Sequence, residues 1–182
     1  MSKAFSDPSA LLKHEVAYCI GQMGMPEAVK VLEQVLQDSG QEPIVRHEAG
    51  EALGAIGSQD SLHVLKACVL DPVEAVADTC RLAVARIEWL QDSQATEKDR
   101  LSANPYQSVD PAPPALETDT DELTKTLLDD DQDIFVRYRA MFALRNKGDP
   151  ESIKALAKGT YFYWEFSIVQ KGQVQHLFSL LN

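Results

Sequence analysis

The chain has 182 residues, 45% hydrophobic and 25% charged, a balance that fits one globular domain or a short array of repeats. Its net charge of −11 argues against nucleic acid or anionic membrane as partners and favours a basic protein. No apolar run approaches the ~18 residues of a membrane span, and MSKAFSDPSALLKHE at the start lacks the apolar stretch of a secretory signal.

Along the chain, KHEVAYCIGQMG (Lys13 to Gly24) returns as RHEAGEALGAIG (Arg46 to Gly57), 33 residues on. A fixed period of that length is read first as a repeat array. Each unit reads as two helices. In the first unit Val16, Ile20 and Met23 follow the spacing of an amphipathic helix, with Val16 as the core direction. Gly24 and Pro26 stop it, and Ala28, Val31, Leu32, Val35 and Leu36 form the apolar face of a second helix. The next unit repeats the scheme with Ala49, Leu53 and Ile56, a stop at Gly57, then Leu62, Leu65 and Val69. The fold class is therefore all-α, a solenoid of antiparallel helix pairs. Cys19, Cys68 and Cys80 are scattered through these helical patterns with no CxxC pair. They read as reduced, buried thiols of an intracellular, cytoplasmic protein.

A third unit, DPVEAVADTCRLAVARI (Asp71 to Ile87), keeps the apolar pattern but places Asp78-Thr79 where the second unit has His47-Glu48. A fourth, RYRAMFALRNKG (Arg137 to Gly148), aligns with Arg46 to Gly57 and has Tyr138-Arg139 at that place. The scaffold does not require His-Glu, so the pair is an addition to the fold. Between the third and fourth units, Pro111, Pro113 and Pro114 favour an extended, polyproline-like linker. The expected division is repeats carrying both His-Glu pairs over 1–91, a Pro-rich polar linker over 92–121, a partial second-half repeat over 122–159 and a divergent tail over 160–182. That tail has five aromatics between Tyr161 and Phe166 and no continuation of the repeat.

With each helical residue advancing ~100°, His14 falls about 160° from the Val16 direction, on the side of Tyr18 and Gly21. His47 behaves alike, with Gly50 and Gly54 beside it leaving room for something to approach. Glu15 lies on the flank. Two His-Glu pairs at equivalent turns point to a metal site, although a charge pair at a solvated helix start remains the competing reading. HEVAY and HEAGE lack the second histidine of an HExxH zinc peptidase. Adjacent His and Glu diverge by ~100°, which suits two neighbouring ions better than one chelated ion. Histidine with carboxylate and no cysteine suits iron in an oxygen-using site better than structural zinc. Glu51 follows His47 by four residues and reads as a carboxylate behind the ligands or facing a substrate. Tyr18 and Met23 read as packing residues. His63 and His176 have no partner in the repeat and are assigned no role. No Ser/His/Asp triad, P-loop, GxGxxG or nucleic-acid patch is present.

SALLKHEVAYCIGQM (Ser9 to Met23), QEPIVRHEAGEALGAIG (Gln41 to Gly57), RIEWLQ (Arg86 to Gln91), YQSVDPAPPA (Tyr106 to Ala115) and RYRAMFALRN (Arg137 to Asn146) together resemble one family. It is that of deoxyhypusine hydroxylase, a HEAT-repeat di-iron monooxygenase, and the resemblance runs from about Ser9 to about Gly159. The resemblance implies hydroxylation of the deoxyhypusine side chain on a eukaryotic translation initiation factor, using Fe(II), two ions in the complete site, and dioxygen. It implies four His-Glu pairs around the metals, of which the first-half pairs fall on His14, Glu15, His47 and Glu48. Glu51 would help receive the positively charged substrate side chain. A further repeat is expected before the first pair and two further pairs in the second half. Near Lys171, where one is due, the chain reads SIVQKGQ. The expectation is thus a truncated or alternative product that binds iron weakly and is inactive or nearly so as a monomer. A homodimer would bring two half-sites together. The competing function is a non-catalytic helical-repeat protein that binds the same translation factor or the full-length enzyme.

Overall fold

The computed structural model describes residues 3–92 and 101–166, and within them every regular element is helical. The helices are α1 (Ala10–Met23), α2 (Val29–Gln37), α3 (Pro43–Ile56), α4 (Leu62–Cys68), α5 (Glu74–Asp92), α6 (Thr120–Leu128), α7 (Ile134–Lys147) and α8 (Pro150–Phe166).

The 33-residue period reappears in the coordinates: α3 begins and ends 33 residues after α1. Its stop is a glycine in the left-handed region, which a side chain enters only with strain. Gly24, Gly57 and Gly148 take φ values of 64°, 74° and 62° at the ends of α1, α3 and α7. Starts are set by caps. Ser9 accepts from the Leu12 N–H, Asp133 from the Phe135 N–H, and α3 opens on Pro43.

One apolar core runs under α1 to α5, with Leu32, Leu36, Leu53 and Leu65 fully buried, each stabilising by roughly 1.5–3 kcal/mol. A second core, around Leu123, Leu127, Ala140 and Leu144, holds α6 to α8. A third, smaller cluster of Leu82, Ala112, Phe135 and Phe142 joins them.

First helices of successive repeats meet at small residues. A Cβ on Gly21 would lie 2.8 Å from the Ala52 backbone, and one on Gly54 would lie 2.9 Å from the Ala83 side chain. This alters the expected faces. The buried line of α1 is Lys13, Ala17 and Gly21, with Val16 and Ile20 only partly covered and Met23 exposed. The reason is that α1 packs chiefly on α3, the next first helix, so its innermost line is the row of small residues that lets the two helices approach. Cys19 is likewise exposed, whereas Cys80 is buried; among these residues the thiols are free.

A cation opens three of the four repeats; the third has Ala77 at that place. Arg46 Nε donates to the Leu36 carbonyl at 2.9 Å, and Arg137 Nε to the Leu127 carbonyl at 3.0 Å, both ten residues back at the end of the preceding helix. Each guanidinium is held by an acid, Asp71 for Arg46 and Asp130 for Arg137. Lys13, at the equivalent place in α1, pairs with Glu42 at 2.5 Å. Of these, Lys13 and Arg46 are buried, each one residue before a histidine of the candidate site.

Residues 101–119 form no helix, yet they are not a solvated spacer: Ala112 and Pro114 are buried and Asp110 is bonded to α7. α8 runs through Phe166, past the point where the repeat pattern ends. Residues 167–182, His176 among them, lie outside the described residues.

Candidate metal centre

The one-repeat step brings the start of α1 beside the start of α3. His14 Nε2 lies 3.0 Å from Glu48 Oε2, and His14 Nδ1 lies 3.2 Å from Glu15 Oε1. The short contact therefore crosses from one repeat to the next. On α3, His47 Nε2 is 3.7 Å from Glu51 Oε2, one helical turn on. His47 Nδ1 lies 3.4 Å from the Ala75 carbonyl, which can only accept; in the neutral ring the lone pair is then on Nε2, the nitrogen toward Glu51.

His47, Glu48 and Glu51 each offer a ligand atom, and these atoms lie within 4.8 Å of one another. Sequence spacing had separated His47 and Glu48 by ~100° and assigned them to two ions. Side-chain reach brings their ligand atoms near one another across that divergence. Glu15 differs from its repeat equivalent: its side chain is 55% exposed, against 6% for Glu48. Glu48 is covered by α1, and Glu15 has no such neighbour among the described residues.

Burial dominates the electrostatics. The Glu48 carboxyl is pushed up to about 7, first by burial and then by the Glu51 carboxylate, while the His14 ring pulls it back. Burial also raises Glu51, opposed by His47 and His14. Two carboxylates are thus held close in a place that penalises their charge. A divalent cation removes that penalty, and two imidazoles with two carboxylates are a donor set for iron-group metals. The residues present fit a metal ion.

Gly50 and Gly54 do not leave the open space that the sequence suggested. A Cβ at Gly50 would meet Thr79 at 2.8 Å, and Gly54 is filled by Ala83. Those glycines let α5 approach α3. Beside them is a small cleft lined by Glu51, Gly54, Thr79, Leu82, Ala83, Arg86 and Pro111. Arg86 donates through Nη1 to the Gly54 carbonyl and through Nε to the Asp110 carbonyl, both at 2.9 Å. Sequence reasoning missed Arg86 and Asp110. Their signal was an acid in an apolar Pro-rich stretch and an arginine on an otherwise buried helix face. His63 stays outside the site, exposed, with Nδ1 2.6 Å from the Asp60 carbonyl. Tyr138 and Arg139 occupy the His-Glu place in α7; Arg139 lies 5.9 Å over the Trp89 ring.

Comparison with known proteins agrees with this architecture. The HEAT repeats family matches residues 1–85, and the PBS lyase HEAT-like repeat matches residues 136–159. Deoxyhypusine hydroxylase of Rattus norvegicus is 56% identical over 97% of this chain and 59% of its own length. The Homo sapiens protein is 54% identical over 97% of this chain and 58% of its own. That of Drosophila melanogaster is 52% identical over 87% of this chain and 52% of its own. The chain thus spans under two thirds of these curated relatives. The solved structure of human deoxyhypusine hydroxylase in complex with glycerol superposes with a TM-score of 0.80 at 57% identity, over 87% of this chain and 54% of that one. Over the part of them that it spans, the chain matches deoxyhypusine hydroxylases in sequence and in fold.

Proposed function

We propose that this chain contributes one half of the metal centre of a deoxyhypusine monooxygenase, the substrate being the deoxyhypusine side chain of a eukaryotic translation initiation factor. The observation that carries it is the contact of His14 with Glu48 across two repeats, with His47 and Glu51 gathered beside it. Two bound Fe(II) ions would supply activation of dioxygen. The ligands are His14, Glu15, His47 and Glu48. His14 and His47 present ring nitrogens from two parallel positions, and the Ala75 carbonyl fixes the His47 ring. Glu48, with its proton held near neutrality by burial, releases that proton when a cation arrives. Glu51, which lines the small cleft, would receive the amine of the substrate side chain and neutralise its charge.

Two irons at an octahedral count take more ligands than two His-Glu pairs provide. An isolated monomer therefore binds iron weakly and turns over poorly, and a homodimer is the assembly in which two such halves meet. The net charge of −11 suits a basic protein substrate, and the setting is the cytoplasm.

The test is titration with Co(II), followed by its visible absorption, on the parent chain and on His14→Ala, His47→Ala, Glu48→Gln and Glu15→Gln. Loss of the bands in both histidine variants supports the proposal. Bands unchanged in His47→Ala contradict it. Retained binding of the translation factor by His47→Ala, with no hydroxylation by the parent in any assembly, would favour a purely binding role.

A further inference from the structure

The segment between the third and fourth repeats is tied to helices that lie far apart in sequence. Val109 exchanges two hydrogen bonds with Gln22 of α1, its N–H donating at 3.0 Å and its carbonyl accepting at 3.2 Å. The Asp110 carbonyl accepts from Arg86 of α5. The Asp110 carboxylate receives both arms of the Arg145 guanidinium of α7, at 2.8 and 2.6 Å. It also accepts from Ser108 Oγ at 2.7 Å and Asn104 Nδ2 at 3.1 Å, and only 11% of the side chain is exposed. Arg145 lies over the Phe142 and Tyr106 rings, at 4.6 and 4.9 Å. Ala112 is fully buried in the cluster formed by Leu82 of α5 with Phe135 and Phe142 of α7.

Elsewhere in the array first helices touch directly, as at Gly21 and Ala52 or Gly54 and Ala83. Between α5 and α7 the direct contact is much smaller, and this segment packs into the same seam. At this junction the Asp110 carboxylate holds the Arg145 guanidinium, and the Asp110 backbone carbonyl accepts from Arg86. A bidentate Arg–carboxylate pair is directional as well as strong, so it fixes an orientation where a small apolar cluster alone permits sliding.

We infer that Asp110 is a positioning residue: its fork with Arg145 sets the α6–α8 module against the α1–α5 module that carries the His-Glu pairs. Through Pro111, the next residue, it also places a wall of the cleft at Glu51. What this means for catalysis rests on the proposed function. The placement itself does not, and it is measured without metal.

The test is a distance measurement on the full chain. Spin labels on non-cysteine handles replace the exposed Lys30 of α2 and Lys154 of α8, since Cys19 is exposed and would react. Pulsed electron resonance on the parent should give one narrow distribution. Asp110→Asn, which keeps the shape but not the charge, and Arg145→Met, which keeps the stem but not the fork, should each add a displaced second population. Arg145→Lys, with charge but no fork, should fall between. Arg137→Met removes a comparable arginine contact within the α6–α8 module but outside the junction, and should leave the distribution narrow. Circular dichroism should show unchanged helicity throughout. The inference is overturned if Asp110→Asn and Arg145→Met keep the parent distribution, or if Arg137→Met broadens it equally. Should those two variants fail to fold, Arg145→Lys decides: an unchanged distribution overturns the inference, and a broadened one supports it. Loss of cobalt binding in the histidine variants with no effect here would retain the metal reading and remove this one.

Discussion

Replacing Arg46 by methionine removes the cation that opens the second repeat and sits next to His47. The Arg46 and Asp71 side chains are each only 9% exposed. The change takes away both arms of the pair and the 2.9 Å bond to the Leu36 carbonyl, while the methionine keeps most of the apolar stem. Breaking one side of a buried pair costs about 3–5 kcal/mol, because the partner is left charged and uncompensated. Asp71 retains the Val73 N–H at 3.0 Å, which puts the expectation at the lower end, about 3 kcal/mol. With a urea slope of ~2–3 kcal/mol/M, the midpoint at pH 7 should fall by roughly 1–1.5 M. The double variant Arg46→Met/Asp71→Leu should recover most of that loss, since no orphan charge remains. The pH dependence has a definite sign. The Arg46 guanidinium, through its hydrogen bonds, holds the Asp71 carboxyl below its ordinary value of 3.8. That contribution is present above the unfolded value and is lost as pH falls through the depressed folded value. The gap between parent and Arg46→Met should therefore be full at pH 5 and shrink toward pH 2. A single-variant loss under about 1 kcal/mol, a double variant no better than the single, or a gap that ignores pH would refute the reasoning.

Gly54→Val places a side chain 2.9 Å from Ala83 on a neighbouring helix and should cost about 1–3 kcal/mol in urea unfolding, whereas a result near zero would mean that α3 and α5 separate freely. At Gly24, where a Cβ meets nothing within 4 Å, alanine should cost only the left-handed backbone penalty of roughly 1–2 kcal/mol. Leu65→Ala, in the fully buried core, should lower stability by about 2–5 kcal/mol. Leu70→Ala, at a residue 85% exposed, should stay within ±0.5 kcal/mol. A divalent ion held at ~100 times its dissociation constant should raise unfolding free energy by about 2.7 kcal/mol in the parent, read as a rise in Tm, and should do nothing for His47→Ala.

The repeat was legible because periodicity is local. The 33-residue step and its glycine stops locate α1 and α3, and the match of Arg137 to Arg46 locates α7. Other features depended on pairing between repeats, which one helix does not encode. Val16, Ile20 and Met23 look like a core stripe until α1 is set against α3; then Ala17 and Gly21 take the interior and Met23 faces outward. The space beside His47 was read from missing side chains at Gly50 and Gly54, but those positions are filled from α5. That the two pairs share one site was read from the repeat; which carboxylate meets His14 was not, because Glu48 comes from the next helix. Least legible was residues 104–112. Proline content described their backbone, not the three helices they bind at separations of 24 to 87 residues.

The central claim is that His14, His47 and Glu48 form a metal-binding half-site of a deoxyhypusine hydroxylase. Its most direct test is iron content of the purified chain, expressed with iron and sized in the same run. The account predicts weakly held iron in the monomer, close to two irons in any dimer, and loss of both in His47→Ala. Iron retained in full by His47→Ala, or an iron-free chain in every assembly state, would contradict it.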